Sequence, residues 1–468
     1  MRKNHIKGIG VSLALLSLTA CTSVPNDGGV YYVQDLIDEM IGTDNKASVI
    51  DPENALTDEE VNNMLARPLS LADAEMISMQ VNPMAKTGIL QVGIAEADYA
   101  QAGRLENPGF SYERMSGEEY SSTLLFDIGG LFLMPLKRDI EERRLERARY
   151  EAAGSVINHL AETRRAWINA VAEKQQTLLM ERALESAETS NTLTRQMSAL
   201  GHSGVIEAAE SEMFLSDMQT ALSRQRLAED TAREVLIQQL GLWGNRARAL
   251  TLPVELPNLP ELPLEIESVE GEAIENRIDV QVAKANLESM AKSMDLTQMS
   301  PFLTAIEFGP VWEKAEGERE SGYELELRIP IFDAGGVQND KARFMFEQAQ
   351  AQAQAVAIAA ASNARTALSI YRINWEIAKH YEDTLLPIRQ RISEEQLLMY
   401  NGMLISVFDL LEDVRDATDL QSAYVNAIRD FWLADTNLQQ ALTGSGSTPI
   451  TIASASAIPG GGGAEEGH

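Results

Sequence analysis

The stretch 323-YELELRIPIFDAGG-336 joins a strand to a helix, and it determines how the rest of the chain is interpreted. Apolar residues alternate with charged ones along its first part, which is the two-residue period of a strand with one polar face. Pro330 removes an N–H from the strand ladder, and Asp333 and Gly335 follow at the expected strand-to-helix turn. A long helix is expected to begin at Gly336.

The first half of the chain shows the same order of elements. Phe110 and Tyr112 begin one strand, and residues 120–128 alternate as its partner. Pro135 is interpreted as lying late in this second strand, where it would mark the corresponding strand-to-helix turn. In the second half, residues 302–308 alternate as the partner of the quoted strand. The sequence therefore predicts four strands in two pairs.

Long helices follow each strand pair. Apolar residues recur at three- to four-residue steps from Lys137 to Leu200, and a similar helix is predicted from Gly336 to Tyr400, interrupted only by Pro387. Each is about 96 Å long at 1.5 Å per residue. Helices over about 83–106 and 204–242 together match the first long helix in length, as expected for hairpins packed like coiled coils.

These elements divide the chain into six segments. Proline recurs from Leu252 to Pro263, which excludes regular helix there, and the C-terminal tail is rich in Gly, Ser and Ala. The predicted organisation is a signal peptide (1–20), an N-terminal segment (21–68), a first repeat (69–242), a Pro-rich linker (243–275), a second repeat (276–444) and a disordered tail (445–468).

Composition excludes several classes of protein. The chain has 468 residues, with 39 Lys and Arg against 70 Asp and Glu, and a formal net charge of −31. Such an acidic chain is unsuited to nucleic acid, because binding to phosphates needs a basic surface. Its single cysteine cannot form an internal disulfide or a Cys-based metal site.

The N-terminus is typical of an exported lipoprotein. Basic residues at positions 2, 3 and 7 precede an apolar stretch from Ile9 to Ala20, which is too short to be counted as a membrane span. Cys21 directly follows and is the expected lipidation site. An Asp directly after the cysteine would resemble an inner-membrane retention signal, but position 22 is a threonine. The expected destination is therefore the outer membrane of a Gram-negative cell. The alternative is an ordinary signal peptide that contains a cysteine.

The doubled order of elements resembles the TolC-like outer-membrane efflux channel family from about Leu69 to Gly444. The resemblance is carried by four runs, Pro68–Ala74 continuing to Pro83, Ala95–Pro108, Asn276–Val280 and Ile329–Gly336. It implies a mainly helical fold with a membrane β-barrel, formed by a homotrimer in which each chain gives four strands to one shared 12-stranded barrel. The helices would continue as a periplasmic tunnel.

The resemblance also implies partners and a function. Such a protein is expected to be a passive exit duct anchored in outer-membrane lipid. An acidic entrance and a lipid anchor suit drugs or metal cations as its cargo better than secreted proteins. It receives its cargo from an inner-membrane efflux pump through a periplasmic adaptor (membrane fusion) protein. No cofactor and no catalytic residue are expected.

Candidate selectivity residues follow two turns that superpose at an offset of 202 residues. Glu207 then falls on Asp409, and Glu210 on Glu412. Residues three apart share a helix face, so each turn precedes an acidic pair. The resemblance places these turns at the periplasmic entrance, where acids repeated by threefold symmetry would attract cations. The alternative is that they are solvated charges on a helix surface.

Glycines mark both turns. Gly201, Gly204 and Gly402 are expected to permit the reversals between helices. In the resembling family these hairpin ends contact the adaptor, so the three glycines are candidate adaptor-contact residues. Gly402 lies one residue out of the family's usual register. The alternative is that these residues are glycine only because a tight turn favours glycine, with no role in binding a partner.

No metal site is expected. The candidates are His159 with Glu162, His202 and His380, and they are better explained as helix-surface residues. Two methionine pairs at i, i+4 could suit a soft cation but are better explained by helix packing: Met290 with Met294, and Met399 with Met403.

Two hypotheses remain open from the sequence. The first is the outer-membrane channel. The alternative is a lipid-anchored periplasmic coiled-coil spacer or adaptor subunit without pore activity. The duplicated strand pairs favour the channel, because an adaptor has one helical hairpin rather than two.

Overall fold

The computed structural model describes residues 29–41, 56–114, 119–201, 204–303, 306–315, 318–327 and 335–444. The predictions made for Cys21, His202, Pro330, Asp333 and the tail lie outside these residues.

The described elements follow the predicted order twice. The first half contains α1 (Val30–Ile41), α2 (Asp58–Leu65), α3 (Leu71–Val81), α4 (Pro83–Ala102), β1 (Gly109–Arg114), β2 (Tyr120–Asp127), α5 (Ile128–Ala199) and α6 (Val205–Leu240). The second contains α7 (Asn245–Ala249), α8 (Val269–Asn276), α9 (Ile278–Leu303), β3 (Ile306–Ala315), β4 (Glu318–Leu327), α10 (Gly336–His380), a π-helical turn (Tyr381–Leu385), α11 (Leu386–Asn401) and α12 (Val407–Thr443). The predicted mainly helical fold with four strands is confirmed.

Contacts divide the chain into two compact units. The first, which we call the strand unit, comprises Met1–Asn54, Met84–Val156 and Ile274–Ala360. The second, the helical unit, comprises Ala55–Pro83, Ile157–Ala273 and Ala361–His468.

The strand unit contains one antiparallel sheet in the order β1-β2-β3-β4. The two predicted strand pairs join through β2 and β3, where Phe126 is opposite Phe308. The edges of this sheet are β1 and β4. Helix α1 belongs to the same unit: the Arg149 guanidinium lies 4.1 Å from the ring centroid of Tyr32 and pairs with the carboxylate of Glu96.

The core of the helical unit forms around Trp167 of α5. Its indole N–H donates to the carbonyl oxygen of Leu69 at 2.9 Å, and the side chain is 3% exposed. Helices α2, α3, α6 and α12, together with α5 itself, supply the other buried apolar residues around it, which include Val61, Leu65, Ile77, Val171, Leu236, Leu240, Val425 and Ile428. Burial of these side chains gives the unit its main stabilisation.

The Pro-rich stretch is held against the helical unit by side-chain donors. The indole N–H of Trp375 donates to the carbonyl of Pro260, and that of Trp432 donates to the carbonyl of Pro257, both at 3.0 Å. Lys174 Nζ donates to the carbonyl of Leu252 at 2.6 Å. Backbone carbonyls that have no partner in a helix or sheet thereby obtain one.

The sequence prediction for Pro135 was wrong, because Pro135 lies inside helix α5 rather than in β2. Strand β2 ends at Asp127, whose Oδ1 accepts the N–H of Gly130 at 2.7 Å. This is an N-cap interaction, and it starts the helix at Ile128. A proline inside a helix removes one backbone hydrogen bond and favours a bend, but it does not have to end the helix.

Two smaller boundaries also differ. Phe302 was predicted to begin a strand, but it lies in helix α9, which continues to Leu303. The second long helix is interrupted just before Pro387, by the π-helical turn Tyr381–Leu385. Proline has no N–H and its ring crowds the carbonyl four residues earlier, and a wider turn relieves both conflicts.

Candidate functional site

The candidate site consists of two helix–helix turns in the helical unit, which we call turn 1 (between α5 and α6) and turn 2 (between α11 and α12). Gly201, Gly204 and Gly402 are exposed in them. Further along the same helices, the guanidinium of Arg415 on α12 lies 5.8 Å from the ring centroid of Phe214 on α6. This contact links the outgoing helices of the two turns.

Asp409 forms a reciprocal cap at the start of α12. Its Oδ2 accepts hydrogen bonds from the Ser406 backbone N–H at 2.7 Å and from the Ser406 hydroxyl at 2.8 Å, while its own N–H donates to that hydroxyl oxygen. The side-chain and backbone hydrogen bonds from Ser406 lower the pKa of the exposed Asp409 carboxyl. Asp409 is therefore a fixed negative charge at neutral pH.

Glu207 has the matching position in turn 1. Its Oε2 accepts the backbone N–H of Gly204 at 3.0 Å, although Gly204 has no side chain to return the bond. Glu210 and Glu412 lie three residues further along α6 and α12 and are exposed. Of the four predicted acids, Asp409 and Glu207 thus also cap helices, a role that the spacing Ser406-x-x-Asp409 could have indicated.

The three glycines differ in backbone conformation. Gly201 has φ 76°, in the left-handed region that favours glycine, whereas Gly402 has φ −79°. In turn 2 the left-handed position is taken by Met403, with φ 58°. Its N–H donates to the carbonyl of Tyr400, and that of Leu404 donates to the carbonyl of Met399, which is a Schellman ending of α11. The one-residue register difference seen in the sequence therefore puts a side chain where glycine is preferred.

Replacing Met403 with glycine is expected to stabilise turn 2 by about 1 kcal/mol, because a left-handed backbone is unfavourable for a residue with a Cβ atom. Amide hydrogen exchange at the end of α11 should slow accordingly. Gly402→Ala is the matched control and should change exchange little, since an added Cβ would meet its nearest heavy atom at 3.4 Å. Equal exchange rates in Met403→Gly and the parent protein would show that the left-handed backbone at Met403 does not destabilise turn 2.

Both turns expose apolar side chains. The exposed fractions are 73% for Leu200, 83% for Val205 and 75% for Ile206 in turn 1, and 93% for Met403 and 74% for Leu404 in turn 2. Contiguous exposed apolar residues commonly mark a surface that a partner covers.

Near turn 2 an ion pair joins α11 to α12. The guanidinium of Arg389 pairs with the carboxylate of Asp413 and donates to the carbonyl oxygen of the same residue at 2.8 Å. The side chain of Asp413 is 4% exposed and that of Arg389 is 16% exposed. The sequence analysis missed this pair. One signal was present, because the two residues are equidistant from Asn401 and so face each other across a hairpin centred there.

Two of the candidate metal residues, His159 and Glu162, have other partners. His159 Nε2 lies 3.3 Å from the carbonyl oxygen of Ser78, and burial lowers the pKa of this histidine. Glu162 pairs with Arg165 at 2.8 Å. Across the described residues there is no group of three or more His, Cys, Asp and Glu side chains arranged to hold a metal ion.

None of the described helices combines the length and apolar character needed to cross a membrane.

No protein-family model matches the chain, and no curated protein matches it. Several solved structures, however, are similar to the chain. The CmeC outer-membrane channel of Campylobacter jejuni has 15% sequence identity and a TM-score of 0.68 over 83% of this chain and 87% of that one.

Two further structures agree with this similarity. The outer-membrane protein VceC of Vibrio cholerae has 15% identity and a TM-score of 0.63, with 82% of this chain and 96% of that chain covered. The MtrE outer-membrane channel of Neisseria gonorrhoeae, solved in its open state, has 14% identity and a TM-score of 0.64, with 82% and 89% covered. The chain therefore has the fold of the TolC-like outer-membrane channels.

Proposed function

We propose that the protein is an outer-membrane channel that works as a homotrimer. The observation that carries this proposal is a four-stranded sheet with two edges, β1 and β4, on a fold shared with outer-membrane channels. An open sheet edge is not tolerated in lipid, because its N–H and C=O groups lack partners there. Copies of the chain would satisfy these edges by pairing β1 of one with β4 of the next.

We further propose that the channel is the exit duct of a tripartite efflux system. In this arrangement the apolar residues of turns 1 and 2 would contact a periplasmic adaptor, and an inner-membrane pump would supply drugs or metal cations as cargo. Lipidation at Cys21 would anchor the N-terminus in outer-membrane lipid. The duct itself is passive and needs no cofactor.

Purified protein in detergent tests the proposal directly. We expect a particle with the mass of a trimer and stable single-channel currents in a planar bilayer. A monomer without conductance would overturn the proposal and would favour the lipid-anchored spacer.

Replacing Glu412 with glutamine is expected to lower the cation-to-anion permeability ratio about two-fold or more. The trimer would lose three carboxylates from a narrow mouth, where low-dielectric walls focus the electric field. Glu412 is the sharper test, since Asp409 also caps α12. Adding Asp409→Asn should extend the effect. The measurement is the reversal potential in a KCl gradient.

The matched control for this experiment is Glu59→Gln, which removes an exposed carboxylate from α2. It should leave the reversal potential unchanged. A Glu412→Gln channel with the parent's permeability ratio would show that this acid is a solvated surface charge.

A further inference from the structure

The strand register places almost all large apolar side chains of the sheet on one face, which we call the apolar face. Phe308 and Tyr323 stack there, with ring centroids 5.6 Å apart, and Tyr323 is 80% exposed. Because residues two apart along a strand share a face, the pairing assigns the other members. They include Phe110, Tyr112, Tyr120, Phe126, Trp312 and Leu325.

The opposite face, which we call the acidic face, carries every carboxylate of the described strands. Glu307 is opposite Asp127 on one side and Glu326 on the other, and Glu313 is opposite Glu320. Like charges directly opposite one another repel, so this face requires water and counterions. Its members are Glu113, Asp127, Glu307, Glu313, Glu318, Glu320, Glu324 and Glu326.

The positive charges of the described strands have the reverse distribution. The only three, Arg114, Lys314 and Arg319, all lie on the apolar face. The register also places them in one row across the sheet, Arg114 opposite Tyr120, Tyr120 opposite Lys314, and Lys314 opposite Arg319. With neighbouring strands about 4.8 Å apart, this basic row spans about 14 Å.

The basic row lies at one end of an apolar band. Tyr112 and Trp312 occupy the next row, and apolar residues continue along β3 to Ile306, eight residues from Lys314 and about 27 Å away along the strand. The stretch from Ile306 to Lys314 therefore has about the length of a tilted membrane-spanning strand, which needs about 9–11 residues. Helix α5 follows the other end of β2, and α9 precedes the same end of β3, so the basic row is at the strand ends distant from these two helices.

We propose that Arg114, Lys314 and Arg319 bind the phosphate groups of a phosphorylated glycolipid in the outer leaflet. The proposal rests on the proposed function, which puts the helices in the periplasm and the basic row at the outer surface. Guanidinium groups bind phosphate oxygens in a two-pronged geometry, and the lysine ammonium adds a point charge. The apolar band below the row would receive the acyl chains of the same lipid, so one surface matches both parts of the molecule.

The test compares full-length protein with a variant carrying Arg114→Gln, Lys314→Gln and Arg319→Gln. Diphosphorylated lipid A is titrated into each protein in detergent, and bound lipid is counted by native mass spectrometry. We expect affinity at least about ten-fold lower in the variant. The matched control replaces three exposed arginines of the helical unit with glutamine, Arg195, Arg224 and Arg391, and should bind as the parent does.

Three further arms make the outcome decisive. Dephosphorylated lipid A should bind both proteins equally, millimolar inorganic phosphate should not compete with the intact lipid, and phosphatidylglycerol should bind more weakly than lipid A. Equal lipid A affinity in parent and variant would overturn the proposal, as would equal affinity for phosphatidylglycerol or full competition by phosphate. If the triple variant does not fold, Lys314→Gln with rescue by Lys314→Arg replaces it.

Failure of the proposed function has a different signature. In that case the parent protein would be neither a trimer nor conductive, whatever its lipid affinity. A conducting trimer whose lipid A binding is unaffected by the three substitutions would overturn the lipid proposal alone.

Discussion

Replacing Arg389 with methionine is expected to destabilise the hairpin of α11 and α12 by about 3–5 kcal/mol. The substitution leaves the carboxylate of Asp413 buried, at 4% exposure, without its positive partner. It also removes the hydrogen bond to the Asp413 carbonyl oxygen. Asp416, 3.6 Å from the same guanidinium, loses a weaker and more exposed contact.

The loss of stability in Arg389→Met should come from the buried, unpaired carboxylate of Asp413 rather than from the missing attraction between the two side chains. Arg389→Met combined with Asp413→Leu should therefore recover most of the stability, because replacing both members of a buried pair with apolar residues is often nearly neutral. Amide hydrogen exchange along α11 and α12 measures the change. Arg391→Met, at an exposed position on the same helix, is the control, and equal exchange in the two single variants would contradict the expectation.

Replacing Trp167 with alanine is expected to lower the free energy of unfolding by about 3–5 kcal/mol. The indole is 3% exposed at the centre of the helical unit, and its removal leaves a cavity between α5 and the helices around it. The loss also leaves the carbonyl oxygen of Leu69 without its indole donor. Chemical denaturation followed by circular dichroism is the measurement.

Two variants separate the contributions at this position. Trp167→Phe keeps most of the volume and removes the N–H donor, so it should cost about 1–3 kcal/mol. Trp243→Ala is the matched control, because that indole is 82% exposed and its loss should fall within about 0.5 kcal/mol of the parent. A Trp167→Ala protein as stable as Trp243→Ala would show that the core repacks around the missing side chain.

Periodicity predicted the elements well because their physical signals are local. The alternation from Tyr323 to Leu327 identified β4, and three- to four-residue apolar spacing identified the long helix α5. Local capping was underestimated. Asp127 caps the N-terminus of α5 by accepting the N–H of Gly130, so the helix begins before Pro135. The interpretation of Pro135 as the residue that ends the strand did not take this cap into account.

The candidate site was predicted only in part. Glu207 and Asp409 were selected for their charge, whereas in the structure each also accepts a backbone N–H at the start of its helix. Gly402 was expected to permit the reversal in turn 2, but the left-handed residue there is Met403. Conformational preference gives glycine the advantage at such a position but does not decide where a helix ends.

The sequence by itself determined the order of elements, their duplication and the overall negative charge, since each depends on residues close together in the chain. Tertiary structure alone decided which distant residues meet. The pairing of β2 with β3 aligned Arg114, Lys314 and Arg319 in one row, and the hairpin buried Asp413 against Arg389. Strand register sets the basic row, because a shift of one residue would move each strand side chain to the other face. Packing of α11 against α12 sets the ion pair.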